Sequence, residues 1–401
     1  MFAEKQPISR LCEPLAVGSP AASAAHVASV ALSVEACDSI DKLVALRSEW
    51  QQLADAHGEG LPFRTWEWQV AWWTHFSLHQ KWIQDSLFVR TFRAPSGRLV
   101  GIAPLILTER PFGLRVVDFF GADPNITELR GILCDPQWAK AVHESMRRWL
   151  ADSKGDWDLM NWRGLREEAT GLSEIQIWKE VPNYILALPS SWQEFKSTRG
   201  RNVKESLRKC YNSLKRDGHS LAMAVAVTPS EIADGVQRFL RLHEARAGMA
   251  GATPHPNVFC TEAAQRFLAE VAQRLAERRM ARVFQLLVNG EVVAARVGFA
   301  LGQSLYLYYS GFDPRWAEYS VATTLVAEIL QHAIHEGFRS VNLSTGTDVS
   351  KTRWGPDKIS YFDALQVGSP WRGWLAYHAY RSGPRSARLM ALARSVVGRK
   401  R

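Results

Sequence analysis

One order of secondary-structure signals occurs twice along the chain, and a repeat of this length constrains the fold more than any local motif does. The first pass opens with strand character at Ala31 to Ala36, helical periodicity from Ile40 to Ala56 and a Trp-rich helical stretch from Trp66 to Phe76. Leu87 to Phe92 and Leu99 to Leu107 read as a hairpin about Pro95-Ser96-Gly97, followed by a strand at Val116 to Phe120. Pro136 to Ala151 reads as a helix with proline at its start, and Trp157 to Trp162 as a strand. The second pass repeats the series: strand Leu221 to Val227, helix Pro229 to Arg246, and helix Thr261 to Arg279 with Thr261 placed to cap it. Arg282 to Val288 and Val292 to Ala300 form a hairpin about Asn289-Gly290, a dipeptide that accepts the positive φ angles of a two-residue turn. Ser304 to Ser310 is the next strand, Ala322 to Glu336 a helix stopped by Gly337, Arg339 to Ser344 a strand, and Ile359 to Val367 a strand expected to complete the second lobe.

A chain of 401 residues exceeds the size at which one core keeps growing, so two α/β lobes are expected. The expected divisions are a flexible tail over 1–29, a first lobe over 30–190, a basic connector helix over 191–218, a second lobe over 219–367 and a basic helical tail over 368–401. Apolar residues make up 46% and charged residues 22%, which suits a folded protein rather than a disordered one. Hydrophobic runs are interrupted well before the ~18 residues that span a bilayer, so no transmembrane helix is expected. The five cysteines are odd in number and contain no C-x-x-C pair, which fits a reducing cytoplasm.

Net charge is +9 and unevenly placed. Between 196 and 216, eight basic residues face one acid, Glu205, while Val203, Leu207, Cys210, Tyr211 and Leu214 recur at helical spacing. This connector is therefore an amphipathic helix whose other faces are basic. Its charge suits CoA phosphates, an anionic polysaccharide, a membrane surface or RNA, or only solvation. From Arg381 to Arg401 the tail carries seven more basic residues, with no acid after Asp363, and Trp371, Trp374, Tyr377 and Tyr380 precede them, so it either packs on a lobe or meets anionic lipid.

Letters then join the pattern. Gly290-Glu-Val-Val-Ala-Ala295, Leu305-Tyr-Leu-Tyr-Tyr-Ser-Gly-Phe-Asp-Pro314, Tyr319-Ser320 and Gly346-x-Asp348-x-x-Lys351-x-x-Trp354 resemble the GNAT N-acetyltransferase superfamily. Within it they are similar to the double-lobed CelD-like branch associated with cellulose and exopolysaccharide synthesis, with Fem-type aminoacyl transferases as more distant relatives. The resemblance covers residues 30 to 367. It implies tandem duplicated GNAT lobes, each a mixed, mostly antiparallel sheet flanked by helices, and an acyltransferase, EC 2.3.1.-, using acetyl-CoA or another acyl-CoA as co-substrate. The first lobe, with no evident anion-binding loop before Pro136, is expected to be a degenerate copy that shapes the acceptor cleft.

By the same resemblance the pyrophosphate sits at the start of the helix beginning near Ala322, where free N–H groups and the helix dipole favour an anion. Arg315, Ser320, Val321, Ala322 and Thr323 are the candidate contacts, with the backbone near Tyr309, Ser310 and Gly311 holding the thioester carbonyl. The family's usual Pro-Gly after Tyr-Ser is Val321-Ala322 here. Acyl transfer to an amine also needs a base and an acid for the departing thiolate. Tyr308 and Tyr309 are expected on opposite faces of their strand, so that one faces the cleft. Asp313, Glu318 and Tyr319 lie at the expected cleft mouth, where Asp313 either accepts a proton or stabilises a turn. Asp348 and Lys351 either act at the site or form an ion pair.

No metal is expected: His143-Glu144, His243-Glu244 and His335-Glu336 lack the second histidine of a zinc helix, and phosphate-loop motifs are absent. The expected location is cytoplasmic, with contact to the inner membrane face open. The expected acceptor is a small molecule or glycan precursor, with polysaccharide-assembly proteins as further partners. Two alternatives remain: Fem-like transfer from aminoacyl-tRNA, the one case that calls for nucleic acid, and a non-catalytic role in a polysaccharide assembly complex.

Overall fold

The computed structural model describes residues 31–123, 125–166, 174–249, 255–368 and 370–381. The N-terminal tail and residues 382–401 of the expected basic tail lie outside them.

The first lobe starts with β1 (Ser33–Cys37), α1 (Ile40–Ala45) and α2 (Arg47–His57); the single helix expected over Ile40 to Ala56 is divided at Leu46. Next comes α3 (Trp66–Phe76), started by the Thr65 hydroxyl, which accepts from the Trp68 N–H. Six strands follow: β2 (His79–Gln80), β3 (Ile83–Leu87), β4 (Val89–Arg93), β5 (Leu99–Ala103), β6 (Leu105–Arg110) and β7 (Leu114–Phe119). Pro104 separates β5 from β6, and there the chain passes from one sheet to another, consistent with a residue that cannot donate to a ladder. The lobe continues through β8 (Leu133–Cys134), α4 (Ala139–Asp152), β9 (Leu159–Leu165) and β10 (Gln176–Ala187).

The connector is two helices, α5 (Trp192–Thr198) and α6 (Arg201–Arg216), separated at Arg199-Gly200, rather than the one expected. On α6, Val203, Leu207, Cys210 and Leu214 are buried, as their spacing requires. The second lobe comprises β11 (Leu221–Ala226), α7 (Pro229–Ala247), α8 (Glu262–Glu277), β12 (Ala281–Val288), β13 (Glu291–Leu301), β14 (Ser304–Phe312), α9 (Val321–His335), β15 (Ser340–Thr345), α10 (Val349–Thr352) and β16 (Asp357–Val367). A last helix, α11, spans Pro370–Arg381. A full capping box starts α7, with Thr228 and Glu231 each bonding the other's backbone N–H.

Twelve strands form one sheet in the order β11-β12-β13-β14-β15-β10-β16-β9-β7-β6-β3-β2, and β1-β4-β5-β8 form a second. The central four strands alternate between lobes. The last strand of the first lobe, β10, pairs antiparallel with β15, and the last strand of the second, β16, pairs antiparallel with β9. The two exchanged strands pair with each other along nearly their whole length, from Gln176↔Leu365 to Ile185↔Asp357. So Ile359 to Val367 does not close the second lobe on its own sheet; it bridges to the first.

Packing follows this exchange. One core lies under α3, α7 and α8 and mixes both lobes: Trp68 of α3 meets Phe267 of α8 edge-on at 5.1 Å and Tyr308 of β14 at 5.7 Å. A second core lies under α6 and α9, on the other side of the second-lobe strands. A third, under α4, belongs mainly to the first lobe.

A buried ion network fastens β9 to β16. Arg163 of β9 reaches Asp118 of β7 at 3.1 Å and Asp363 of β16 at 2.9 Å, with Arg130 adding a contact to Asp118 at 3.4 Å. Against a burial that pushes its pKa up, the Arg163 and Arg130 guanidinia hold the Asp118 carboxyl below the ordinary range. Arg163→Met leaves two buried carboxylates short of their shared cation. It should cost about 3–5 kcal/mol, the usual effect of removing one partner of a buried pair. Urea unfolding measures this; a loss under about 1 kcal/mol would show that the network does not hold the strands.

Candidate active site

Strands β14 and β15 run parallel only over Ser304↔Ser340 to Tyr306↔Asn342, then separate. Past that point β14 stays with β13 while β15 turns away through Ser344 and Gly346, whose φ angles are +73° and +99°. A serine in the left-handed region stores about 1–3 kcal/mol of strain, which concentrates at functional positions.

The gap is filled from the other lobe. Between β7 and β8 the chain crosses to the second lobe, where Glu128 accepts hydrogen bonds from Tyr306 Oη at 2.6 Å and Ser344 Oγ at 2.7 Å, one from each separating strand. Asp123 shapes this crossing segment by accepting from the Ile126 N–H at 2.6 Å, the Thr127 N–H at 3.0 Å and Thr127 Oγ1 at 2.7 Å. Trp72 Nε1 also donates to Asp123, at 2.9 Å, and Trp68 Nε1 donates to Thr127 Oγ1 at 3.2 Å, so the Trp-rich α3 positions Glu128 indirectly. Burial pushes the Glu128 carboxyl above its ordinary value; the Tyr306 and Ser344 hydroxyls and the nearby Lys351 and Arg296 charges pull the other way and do not cancel it. A raised carboxyl at the point where two strands part is chemically a proton acceptor poised above the ordinary carboxylate range.

Several expected residues converge here in altered roles. A bulge in the β13–β14 register, between Arg296↔Ser310 and Gly298↔Leu307, breaks alternation at Tyr308-Tyr309. Their rings lie 4.7 Å apart and both hydroxyls turn to the crossing segment: Tyr308 donates to the Ile126 carbonyl at 2.5 Å, and Tyr309 to the Asn125 carbonyl at 2.7 Å. The expectation of opposite faces is corrected accordingly. Ser310 accepts from Arg246 Nη1 at its hydroxyl (3.0 Å) and from His243 Nδ1 at its carbonyl (3.0 Å). Any side chain at Gly311 would strike the His243 backbone, its Cβ 2.2 Å from the amide nitrogen, so glycine is what lets α7 lie on β14. Lys351 pairs with Asp348 at 3.1 Å and donates to the Thr345 carbonyl, close to the gap.

Other candidates stand away from the gap. Asp313 accepts from the Arg315 N–H at 2.9 Å and pairs with its guanidinium, which also meets Glu291 at 3.0 Å. Arg315 is thus paired with two carboxylates while its side chain stays 70% exposed. Glu318 is exposed, and Tyr319 donates to Asp217 at the end of α6, at 3.0 Å. Ser320 adopts φ +55° before α9 but its side chain makes no capping bond. The N–H groups of Thr323 and Thr324 return to the Ser320 carbonyl, whereas those of Val321 and Ala322 have no hydrogen-bond partner among the described residues. Val321-Ala322 therefore still offers two backbone donors at a helix start.

Two hollows adjoin these elements. A groove of about 550 Å³ lies between α6, the first turn of α9 and α10, where Arg201, Asn202, Thr323 and Arg353 line it. A smaller polar cavity of about 290 Å³ lies between the lobes, lined by Glu128, Asp123, Arg130, Lys179 and Tyr361 among others. Glu128 and the interlobe cavity were not foreseen from the sequence. No cluster of metal-ligating side chains and no helix long and apolar enough to cross a membrane occurs among the described residues.

Residues 201–352 match the family model described as an acetyltransferase (GNAT) domain. The chain is thus a mixed α/β protein of tandem GNAT-like fold, and its similarity to an acetyltransferase (GNAT) domain is confined to residues 201–352. Among solved structures it is similar to the C-terminal domain of a putative lysylphosphatidylglycerol synthetase from Agrobacterium fabrum, at 11% identity and a TM-score of 0.50, over 85% of this chain and 97% of that one. It is similar also to FemX, at 10% identity and a TM-score of 0.52, over 80% of this chain and 96% of that one. At these identities the likeness concerns the fold alone. No curated protein sequence matches the chain.

The Tyr306 and Ser344 hydroxyls stabilise the charged form of Glu128, so Tyr306→Phe should raise its pKa further. Carboxyl carbon NMR of labelled protein reads this directly. A fall in the Glu128 pKa on removing the Tyr306 hydroxyl would contradict the arrangement.

Proposed function

We propose that the protein transfers an acyl group from acyl-CoA, acetyl-CoA in the simplest case, to an amine or hydroxyl acceptor in the second lobe. The observation that carries this is Glu128, a raised carboxyl set between the separating strands of a GNAT-type domain. The donor supplies an activated thioester. Its diphosphate suits the free N–H groups of Val321 and Ala322, with Arg201 and Arg353 in the adjoining groove for further phosphate charge. Glu128 removes the proton of the attacking nucleophile as its bond to the acyl carbon forms. The C–S bond then breaks and CoA leaves as a thiolate, which takes up a proton from the protonated Glu128 or from water, while the polar interlobe cavity admits the acceptor.

In this proposal the lobes divide at the connector, over 30–190 and 219–367, and the first lobe is the degenerate copy. Its own separating pair, β7 and β9, meets the same parallel geometry at Val116↔Leu159 and Val117↔Met160, but the space beyond is occupied by the Asp118–Arg163 network. A CelD-like role on a cell-envelope or exopolysaccharide precursor in the cytoplasm remains part of the proposal on motif resemblance. The exposed basic side of α6, with Arg201 side chain 87% accessible, favours a second reading, acyl transfer from an aminoacyl-tRNA. The fold likeness to FemX is compatible with it.

The test is thiol release from acetyl-CoA across amino sugars, polyamines and amino acids, beside Glu128→Gln. Release should occur with at least one acceptor, and Glu128→Gln should lower kcat/KM by about 10²–10⁴ while acetyl-CoA still raises the Tm. Because the carboxyl's pKa is raised, its base form is reached only at higher pH, so the acid limb of kcat/KM should lie above pH 4.5 and vanish in the variant. No thermal shift by acetyl-CoA, with a salt-sensitive tRNA complex lost in Arg201→Glu, would favour the second reading instead.

A further inference from the structure

The mouth of the gap holds more positive charge, and more unpartnered polar atoms, than proton transfer requires. Arg246, at the end of α7, donates to Ser310 and lies 5.4 Å from the Phe312 ring centre. Arg296 on β13, opposite Ser310 in the register, reaches the Leu307 carbonyl at 3.4 Å, and its Nε is buried with no hydrogen-bond partner among the described residues. Lys351 Nζ lies 3.4 Å from where a Cβ on Gly346 would stand, at the turn that opens the gap. Three cations thus gather about two carboxylates, Asp348 and Glu128, the second of which burial biases toward its neutral form.

Two imidazoles complete the cluster. His243 is fully buried; its Nδ1–H donates to the Ser310 carbonyl, which leaves a lone pair on Nε2 that no described residue meets. His255 stands 5.2 Å from it, ring centre to ring centre, and its Nε2 is likewise buried and unpartnered among the described residues. Burial first, and then the charge of Arg246, hold both below the ordinary histidine range, His255 down to about 4. Buried polar atoms without partners are costly unless something binds them; the His243 Nε2 can only accept, so it meets an N–H or O–H of the bound molecule while the neighbouring cations meet its anion.

We propose that this cluster is an anion subsite for the acceptor: the molecule that is acylated carries a carboxylate or phosphate close to its nucleophile, held by Arg246, Arg296 and Lys351. The inference rests on the second lobe being the acyltransferase site proposed above. Charge-assisted bonds to the anion fix the acceptor's orientation, so its nucleophile faces Glu128 without a dedicated pocket for the rest of the molecule. The subsite belongs to the acceptor rather than the donor because His243 and His255 lie with α7. The donor's helix start, at α9, belongs to the core on the opposite side of the sheet. An amine with no negative charge nearby leaves Arg246 and Arg296 without a salt-bridge partner among the described residues, Lys351 alone being paired, with Asp348, and is a poor acceptor.

The test follows the imidazole proton resonances of His243 and His255 in the full chain saturated with CoA, while inorganic phosphate or, in a parallel arm, acetate is added. Either anion should shift both resonances saturably at millimolar concentration, and the tighter of the two identifies the acceptor's charged group. The apparent affinity should weaken roughly tenfold in Arg246→Gln, and likewise in Lys351→Gln, as expected for one lost charge-assisted hydrogen bond. Resonances that stay still with both anions, or that respond in both variants with the affinity of the unsubstituted protein, would overturn the subsite. A response that CoA abolishes would assign these cations to the donor, and would overturn it equally. Failure of acyl transfer itself looks different: no thiol release with any acceptor, whatever the imidazoles do.

Discussion

The antiparallel pair formed by β10 and β16 is the interaction on which the rest of the molecule depends. Each strand ends one lobe and is hydrogen-bonded to the other lobe's preceding strand, so neither lobe has a complete sheet alone. Two lobes joined only by a connector would be free to move as separate domains, whereas a continuous ladder makes their relative position part of the backbone hydrogen bonding. The Arg163 to Asp363 pair on the neighbouring strands adds a buried, geometrically specific contact to the same seam.

Fixed lobes make a shared site possible. Glu128 can serve the second lobe only if the first-lobe segment carrying it is held to ångström precision. That segment is held at its Asp123 end by α3 and along its length by three tyrosines of β14. The two halves have diverged in complementary ways. Where the first lobe's strands separate, its own ion pairs fill the space; where the second lobe's strands separate, the first lobe supplies an acid. In the proposed reading, one copy of the fold supports the other and lends it a side chain.

Much of the second lobe was legible from sequence because local chemistry and period agree there: Thr228 with Glu231 starts α7, and Asn289-Gly290 takes φ angles of +53° and +82° in its hairpin. Strand β10 was not. Lys179, Glu180 and Pro182 interrupt any alternation, and its first five residues are exposed, so only pairing with β15 and β16 makes it a strand. The bulge left a trace, since the regular Leu-Tyr-Leu-Tyr alternation of β14 stumbles at Tyr309. Glu128 left none: a single acid in an irregular stretch carries no period, and its role arises wholly from tertiary contact. The family-like letters at Asp313 and Arg315 mark a turn held by its own ion pair, which explains why spacing alone could not separate turn chemistry from ligand contact.

The central claim is that a first-lobe carboxyl completes a second-lobe transfer site. A crystal structure with a non-hydrolysable acyl-CoA tests it most directly. The account predicts the diphosphate at Val321-Ala322 and the acyl carbon between β14 and β15, with Glu128 within one water of the position the nucleophile takes. An acyl group lying instead between β7 and β9, or placed in the second lobe beyond the reach of Glu128, would contradict it.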